Sequence, residues 1–112
     1  MNTKVIGAQG ELIAVKYLKD KKYKILQQNY TTKIGEIDII AQDKDIIVFV
    51  EVKARNTNRF GYPREAISYA KQKKVRTVAT QFMLTNKLMN SKVRFDCIEI
   101  LGEKITHIEN CF

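Results

Sequence analysis

Four charged residues stand inside two apolar, β-branched runs of the chain: Glu36, Asp38, Glu51 and Lys53. The first run covers residues 36–42 and the second covers 46–53, and a short polar segment separates them. This pattern predicts a β-hairpin. A two-residue turn at Lys44-Asp45 would place Asp38 opposite Glu51 and Glu36 opposite Lys53, with all four side chains on one face.

Two carboxylates on opposed strand positions have Cβ atoms about 5 Å apart and repel each other unless a cation or a proton lies between them. A hard divalent cation such as Mg²⁺ or Mn²⁺ prefers oxygen ligands of this kind. Lys53 could then orient a water molecule or offset developing negative charge. The alternative is an exposed strand face, in which Glu36 and Lys53 form a surface ion pair and the carboxylates are tolerated.

The apolar residues of the hairpin indicate which face is covered. The face opposite the carboxylates is expected to lie on the core, and it carries Ile37, Ile39, Ala41, Val48, Val50 and Val52. The acidic face is expected to be partly covered, because it also carries Ile40, Ile47 and Phe49.

The positive charge of the chain is concentrated in one segment. The 112 residues include 20 Lys plus Arg and 12 Asp plus Glu, which gives a net charge of +8. Residues 53–94 hold eleven basic residues and a single acid, Glu65. Such a segment suits the binding of a phosphate backbone, although a solvated basic surface would have the same composition.

Composition narrows the class of protein. One domain spanning residues 1–112 is expected, since the chain has no repeat, no linker and a 45% apolar content. No apolar run approaches the length of a membrane span, and the N-terminus lacks a signal-peptide core, which predicts a cytoplasmic protein without a membrane partner. Cys97 and Cys111 are expected to be reduced and, like His107, structural, since one histidine and two cysteines make a zinc site improbable.

Hydrophobic periodicity predicts the order α-β-β-β-α-β-β and a mixed β-sheet with helices packed against it. The expected elements are a helix at 3–20, strands at 23–30, 36–42 and 46–53, a loop at 54–62, a helix at 63–85 and strands at 93–101 and 104–109. Pro63 suits the first turn of the second helix.

The strings GEIDIIA (35–41) and FVEVKAR (49–55) carry a resemblance to a known family. Together with Gly7-x-x-Gly10-Glu11, Lys71-Gln72 and Arg94-Phe95-Asp96, they resemble the YraN-like family of predicted endonucleases. That family is similar to the Holliday-junction resolvase branch of the PD-(D/E)xK nucleases, and the resemblance extends over nearly the whole chain. The proline of the superfamily motif is absent, since Ile37 precedes Asp38.

The resemblance implies a restriction-endonuclease-like fold and a role for each matching residue. Asp38 and Glu51 would be metal ligands, Lys53 the catalytic lysine and Glu11 an additional acid of the metal site. It also implies Mg²⁺ or Mn²⁺ as the cofactor, DNA as the partner, with branched DNA among the candidates, and a homodimer, since junction resolvases act as dimers.

One lysine of the second helix falls inside its apolar arc of Ile67, Ala70, Val75, Val78, Ala79 and Phe82. This residue, Lys71, either snorkels past the core or reaches toward the carboxylates or a phosphate, and the resemblance favours the second. The expected nucleic-acid-binding residues are Arg55, Arg59, Arg64, Lys71, Gln72, Lys73, Lys74 and Arg76. Phe60 and Tyr62 add aromatic rings to the preceding loop.

The sequence thus predicts a metal-dependent DNA endonuclease that hydrolyses phosphodiester bonds, with branched or repair intermediates as candidate substrates. The alternative is a nucleic-acid-binding protein with a vestigial nuclease site. A protein-interaction adaptor is a third class, but it leaves the basic segment unexplained.

Overall fold

A computed structural model describes residues 3–55 and 67–112 of the chain. Its elements are α1 (Thr3–Asp20), β1 (Lys24–Thr31), β2 (Glu36–Asp43), β3 (Ile46–Arg55), α2 (Tyr69–Thr85), β4 (Lys92–Leu101) and β5 (Lys104–Ile108). The five strands form one sheet in the order β1-β2-β3-β4-β5. β3 and β4 are parallel, and the other neighbours are antiparallel. The predicted mixed α/β fold and its element order are therefore confirmed.

The two helices cover opposite faces of the sheet. Ala14, Val15 and Leu18 of α1 pack on one face in a cluster with Ile39, Ala41, Val48, Val50, Ile98 and Ile100. Val75, Val78, Ala79 and Phe82 of α2 pack on the other face with Ile37, Ile40, Ile47 and Phe49. Because both faces are buried, the central strand β3 reads as a nearly continuous apolar run rather than a polar–apolar alternation.

The two-residue turn at Lys44-Asp45 is confirmed, since Asp43 pairs with Ile46. Lys44 adopts a φ of 59°, in the left-handed region that tight hairpin turns require. The described part of the chain contains no helix long and apolar enough to cross a membrane.

The predicted start of the second helix is wrong. α2 begins at Tyr69, because Ser68 has an extended conformation and its Oγ accepts a hydrogen bond from the Lys71 N–H at 3.1 Å. A serine in this position satisfies a backbone donor that the first turn leaves free, so it ends the extended segment and starts the helix. Ile67 therefore precedes the helix, and Pro63 lies outside the described residues.

The expectation of reduced cysteines is also wrong for this structure. Cys97 of β4 and Cys111 are joined by a disulfide, with their Cα atoms 5.9 Å apart. The pairing depends on the β4–β5 hairpin, which returns the chain along β4, where the Cys111 N–H donates to the Phe95 carbonyl at 2.9 Å. Sequence spacing alone did not indicate this return.

A buried polar network fixes the α1 side of β4. Asp96 is fully buried, and its carboxylate accepts two hydrogen bonds from the Arg94 guanidinium at 2.9 Å and lies 2.7 Å from His107 Nε2. Arg94 also donates to the Tyr23 hydroxyl at 2.7 Å. His107 is thus structural, as the sequence predicted, and the network joins β4 and β5 to Tyr23, the residue before β1.

Candidate active site

The β2–β3 ladder ends one residue before the predicted carboxylate pair. The last paired residues are Ile39 and Val50. Beyond them the Asp38 side chain turns into the gap between the strands, where its Oδ2 atom accepts the backbone N–H of Val52 at 2.8 Å. The sheet therefore forks at Asp38, and the predicted direct opposition of Asp38 and Glu51 is replaced by a side-chain-to-backbone contact.

The same fork breaks the alternation of β2. Ile39 packs in the α1 cluster, but Ile37 packs with Ile40 in the α2 cluster. The prediction that Ile37 shares a core face with Ile39 is therefore wrong. The neighbouring strand is irregular as well, since Asn29 of β1 has a φ of 51°. Asparagine tolerates this left-handed conformation better than most residues.

Glu51 is the buried carboxylate of the site, with 3% of its surface exposed. The pKa of Glu51 is raised to about 8, mainly by burial and also by the charge of Asp38 and a hydrogen bond to Asp38, while the charges of Lys71 and Lys53 oppose the rise. Asp38, Lys71 and Lys53 are thus the charged groups that act on Glu51. Strand alternation from Phe49 places Glu51 and Lys53 on the α2 side.

Glu11 reaches the site from α1, on the other side of the sheet. A Cβ atom on Gly10 would lie 2.5 Å from the Ala54 Cβ, so only glycine allows α1 to approach β3 this closely. Burial raises the pKa of the Glu11 carboxyl, as do the negative charges of Asp38 and Glu36, while the side-chain amide of Asn29 lowers it. Glu11 thus belongs electrostatically to the same cluster as Asp38.

Contrary to the sequence prediction, Glu36 does not lie opposite Lys53 in the β2–β3 ladder. It is exposed and accepts a hydrogen bond from the Thr31 hydroxyl at 3.4 Å. Among the described residues the ion pairs do not include Glu36 with Lys53. The surface ion pair of the alternative interpretation is therefore not found in the described part of the chain, because the ladder has already ended at Ile39.

The donor set has the chemistry of a hard-cation site. Glu11 Oε1 and Glu51 Oε1 are buried acceptors that have no hydrogen-bond partner within the described ranges. Such atoms are costly to bury unless something pairs with them. No three His, Cys, Asp or Glu side chains of the described residues converge as a ready-made metal site. Mg²⁺ needs fewer protein ligands, since it commonly keeps several waters and uses one or two carboxylates with substrate phosphates. Asp38 and Glu51 meet that requirement.

The basic residues of α2 lie in different environments. Lys71 is half-buried next to Glu51, whereas the Gln72 amide donates to the Ile67 carbonyl at 3.3 Å and closes the first helical turn. The Lys73 ammonium lies 5.5 Å from the Tyr69 ring, and the Arg76 guanidinium lies 4.9 Å from the ring of Phe95 and 5.4 Å from that of Phe112. Lys74 is exposed.

Three of the predicted nucleic-acid-binding residues precede α2. Arg55 ends β3, is half-buried and accepts the Gly102 N–H on its backbone carbonyl at 2.9 Å. Arg59 and Arg64 lie outside the described residues, as do Phe60 and Tyr62.

Asn29 is the site residue that sequence reasoning missed. A hydrogen bond from its side chain lowers the pKa of Glu11. Asn29 lies on β1, beside the strand that carries Asp38. A polar asparagine inside the strand run KILQQNYT is the available signal, because asparagine is enriched at left-handed positions.

The molecule is therefore a mixed α/β domain whose sheet forks at a cluster of carboxylates and lysines. The chain belongs to the family described as "Uncharacterised protein family UPF0102", whose model matches residues 10–100. A UPF0102 protein of Clostridioides difficile is 51% identical over 114 residues, and one of Alkaliphilus oremlandii is 52% identical over 118, with all of each chain covered. A UPF0102 protein of Thermodesulfovibrio yellowstonii is 46% identical, covering 96% of this chain and 95% of its own. The names of these relatives state no activity.

Proposed function

We propose that the protein is a Mg²⁺- or Mn²⁺-dependent endonuclease that hydrolyses phosphodiester bonds of DNA. The observation that carries the proposal is the fork, where the buried Glu51, Asp38 and two lysines meet, and where two acceptor atoms lack a partner among the residues that the structure describes. Asp38 and Glu51 would hold the cation, with Glu11 as an additional acid. A bound divalent cation would supply Lewis-acid activation of a phosphoryl oxygen and a more acidic bound water.

The side chains of the site supply the rest of the chemistry. Lys53 orients the attacking water and offsets charge on the phosphoryl oxygens. The oxygen of that water forms a bond to phosphorus, one P–O ester bond breaks, the water loses a proton and the leaving alkoxide gains one. Lys71 would hold the phosphate next to Glu51, and Lys73 and Lys74 would contact flanking phosphates.

The site also supports an alternative, a non-catalytic nucleic-acid-binding protein. This alternative is favoured by one observation, that the described residues contain no ready-made group of three metal-ligating side chains. In that case the basic residues bind nucleic acid, and Asp38 and Glu51 recruit no cation.

Cleavage assays separate the two functions. Purified protein is incubated in Mn²⁺ with branched, single-stranded and duplex DNA and with an RNA arm, beside Asp38→Ala and Lys53→Ala. Matched controls are Asp45→Ala and Lys44→Ala, which change exposed residues of the same hairpin turn. We expect cleavage by the wild type and the controls, and binding without cleavage by the two site variants.

Two results would contradict the endonuclease. Cleavage that survives both site substitutions would come from a contaminant, and calorimetry without divalent binding at millimolar metal would remove the cofactor. Retained DNA binding with neither cleavage nor metal binding supports the alternative. Sedimentation with and without branched DNA tests the homodimer that the family resemblance implies.

A further inference from the structure

A pocket lies on α2, away from the carboxylate fork. It has a volume of about 440 Å³ and is lined by Tyr30, Thr32, Lys33, Gln81, Leu84 and Thr85. Its walls are the β1–β2 turn and the C-terminal half of α2, and its volume lies in the range of sites that take small organic groups. We call it the Gln81 pocket.

Gln81 gives this pocket an unmet hydrogen-bonding need. Its Oε1 atom is buried and has no partner in the part of the chain that the structure describes. Leaving a buried acceptor unpaired is unfavourable, so a ligand that brings an N–H donor would bind with an advantage there. The neighbouring Thr32 hydroxyl is already committed, because it donates to the Gly35 carbonyl and accepts the Ile34 N–H, which fixes the turn.

The pocket and the fork lie on the same edge of α2. Lys71, Lys74, Val78, Gln81 and Thr85 recur at helical spacing and share this edge. The β1–β2 turn lies over its middle, since a Cβ on Gly35 would be 3.8 Å from Val78 and 4.0 Å from the Lys74 Cβ. The rise of a helix places Gln81 about 15 Å from Lys71 along the axis, which is about four nucleotides of a stacked strand.

The groups along this edge match one chemical class of ligand. Lys71, Lys74 and Lys33 present cations on the way from the fork to the pocket, as a phosphate backbone requires. The pocket itself offers apolar surface from Tyr30 and Leu84 and a carboxamide. A carboxamide pairs with the donor and acceptor atoms on the edge of a nucleobase.

We infer that the Gln81 pocket binds a single unpaired nucleobase of the strand held at the carboxylate fork. The base donates an N–H to Gln81 Oε1, and its phosphate lies near Lys33. A base inside a duplex has this edge occupied, so the ligand is a single strand, a bulge or a nucleotide extruded from a helix. This inference rests on the proposed nucleic-acid function and narrows its substrate to DNA with an unpaired nucleotide.

Binding without cleavage tests the inference. Fluorescence anisotropy in EDTA compares a 12-nucleotide deoxycytidine strand with a 12-nucleotide abasic strand that keeps every phosphate. We expect Gln81→Met to weaken binding of the deoxycytidine strand about five-fold and to leave the abasic strand unchanged. Leu84→Ala, at an exposed position, is expected to act in the same direction. The control Thr80→Ala lies on the edge of α2 that faces another groove and is expected to change neither affinity.

The outcomes are distinct from those of the cleavage assay. Equal loss of affinity for both strands by Gln81→Met, or no loss for either, overturns the inference, and so does a wild type that binds neither strand. Cleavage in Mn²⁺ without any dependence on Gln81 would support the endonuclease and contradict the role of the pocket. Base-dependent binding through Gln81 without cleavage would support the role of the pocket and contradict the endonuclease.

Discussion

Asp38 Oδ2 accepts the backbone N–H of Val52 at 2.8 Å, so a side chain of β2 takes the place that the β2 backbone would fill in a continuous ladder. Strand pairing stops at Ile39 and Val50, while β3 keeps its pairing with β4 through Arg55. The result is a rigid strand that carries Glu51 and Lys53 beside a local opening in the sheet. In the proposed function, the cation and the phosphate would approach the carboxylates through this opening.

The first prediction concerns pH. The pKa of Glu51 is raised to about 8 in the folded protein from an ordinary value of 4.5. Between pH 4.5 and pH 8, the folded protein therefore keeps a proton on Glu51 that the unfolded chain has lost. Its contribution to stability is present below pH 4.5 and is lost as pH rises through about 8. In EDTA, Glu51→Gln should therefore gain stability relative to wild type across this range, by an amount on the order of 2 kcal/mol.

Urea unfolding at a series of pH values measures this difference. Glu103→Gln, at an exposed position, is the control and should follow the wild type. A wild-type advantage that grows toward pH 9 would show that Glu51 is ionised and well paired in the folded protein.

The second prediction concerns metal binding. Mn²⁺ in excess should raise the unfolding midpoint of the wild type. The free energy of unfolding should increase by about 2.7 kcal/mol when the free ion is at 100 times its Kd. Asp38→Asn should abolish the effect, because it removes a charged oxygen ligand, whereas Asp45→Asn should keep it. Equal stabilisation of both variants would place the cation elsewhere.

The third prediction concerns the glycine that admits Glu11. Gly10→Ala in a helix would ordinarily stabilise by about 1 kcal/mol. Here the added Cβ would meet Ala54, so a loss of about 1–3 kcal/mol is expected instead. Adding Ala54→Gly should restore most of the loss, which a double-mutant cycle of thermal unfolding measures. A stabilising Gly10→Ala would mean that α1 lies farther from β3.

The fourth prediction concerns the Arg94–Asp96 pair. Asp96→Ala leaves a guanidinium with little exposure beside Asp43 and Glu109 alone, and we expect a loss of about 3–5 kcal/mol. Asp45→Ala breaks the exposed pair of Asp45 with Lys92 and should cost far less stability, because solvent screens an exposed ion pair. Chemical denaturation of both variants checks the contrast, and similar losses would show that the Arg94 charge reaches solvent.

The fifth prediction concerns the disulfide. The Cys97–Cys111 bond closes a loop with a sequence separation of 14, so Cys111→Ser should lose about 3 kcal/mol of stability under oxidising conditions. A reducing agent should bring the wild type to the level of the variant. Mass spectrometry of the alkylated, unreduced protein tests the bond directly, and two alkylated thiols would exclude it.

The sequence by itself determined the parts of the fold that follow from local patterns. Strand and helix periodicity predicted the seven elements in order, and the short polar segment at Lys44-Asp45 predicted the hairpin turn. The same patterns set Asp38, Glu51 and Lys53 on adjacent strands, because a two-residue turn fixes which positions can come near each other. The start of α2 was predicted wrongly, because it is set by the cap at Ser68 and a helix cap depends on a single side chain.

Only the tertiary structure decided how those residues meet. No local pattern specifies that the ladder ends at Asp38, that Ile37 turns to α2, or that Gly10 brings Glu11 against β3, because each results from packing between elements distant in the chain. The disulfide has the same origin, since β5 carries Cys111 back to Cys97. The residue types of the site were determined by the sequence. Long-range packing produced the fork that opens it.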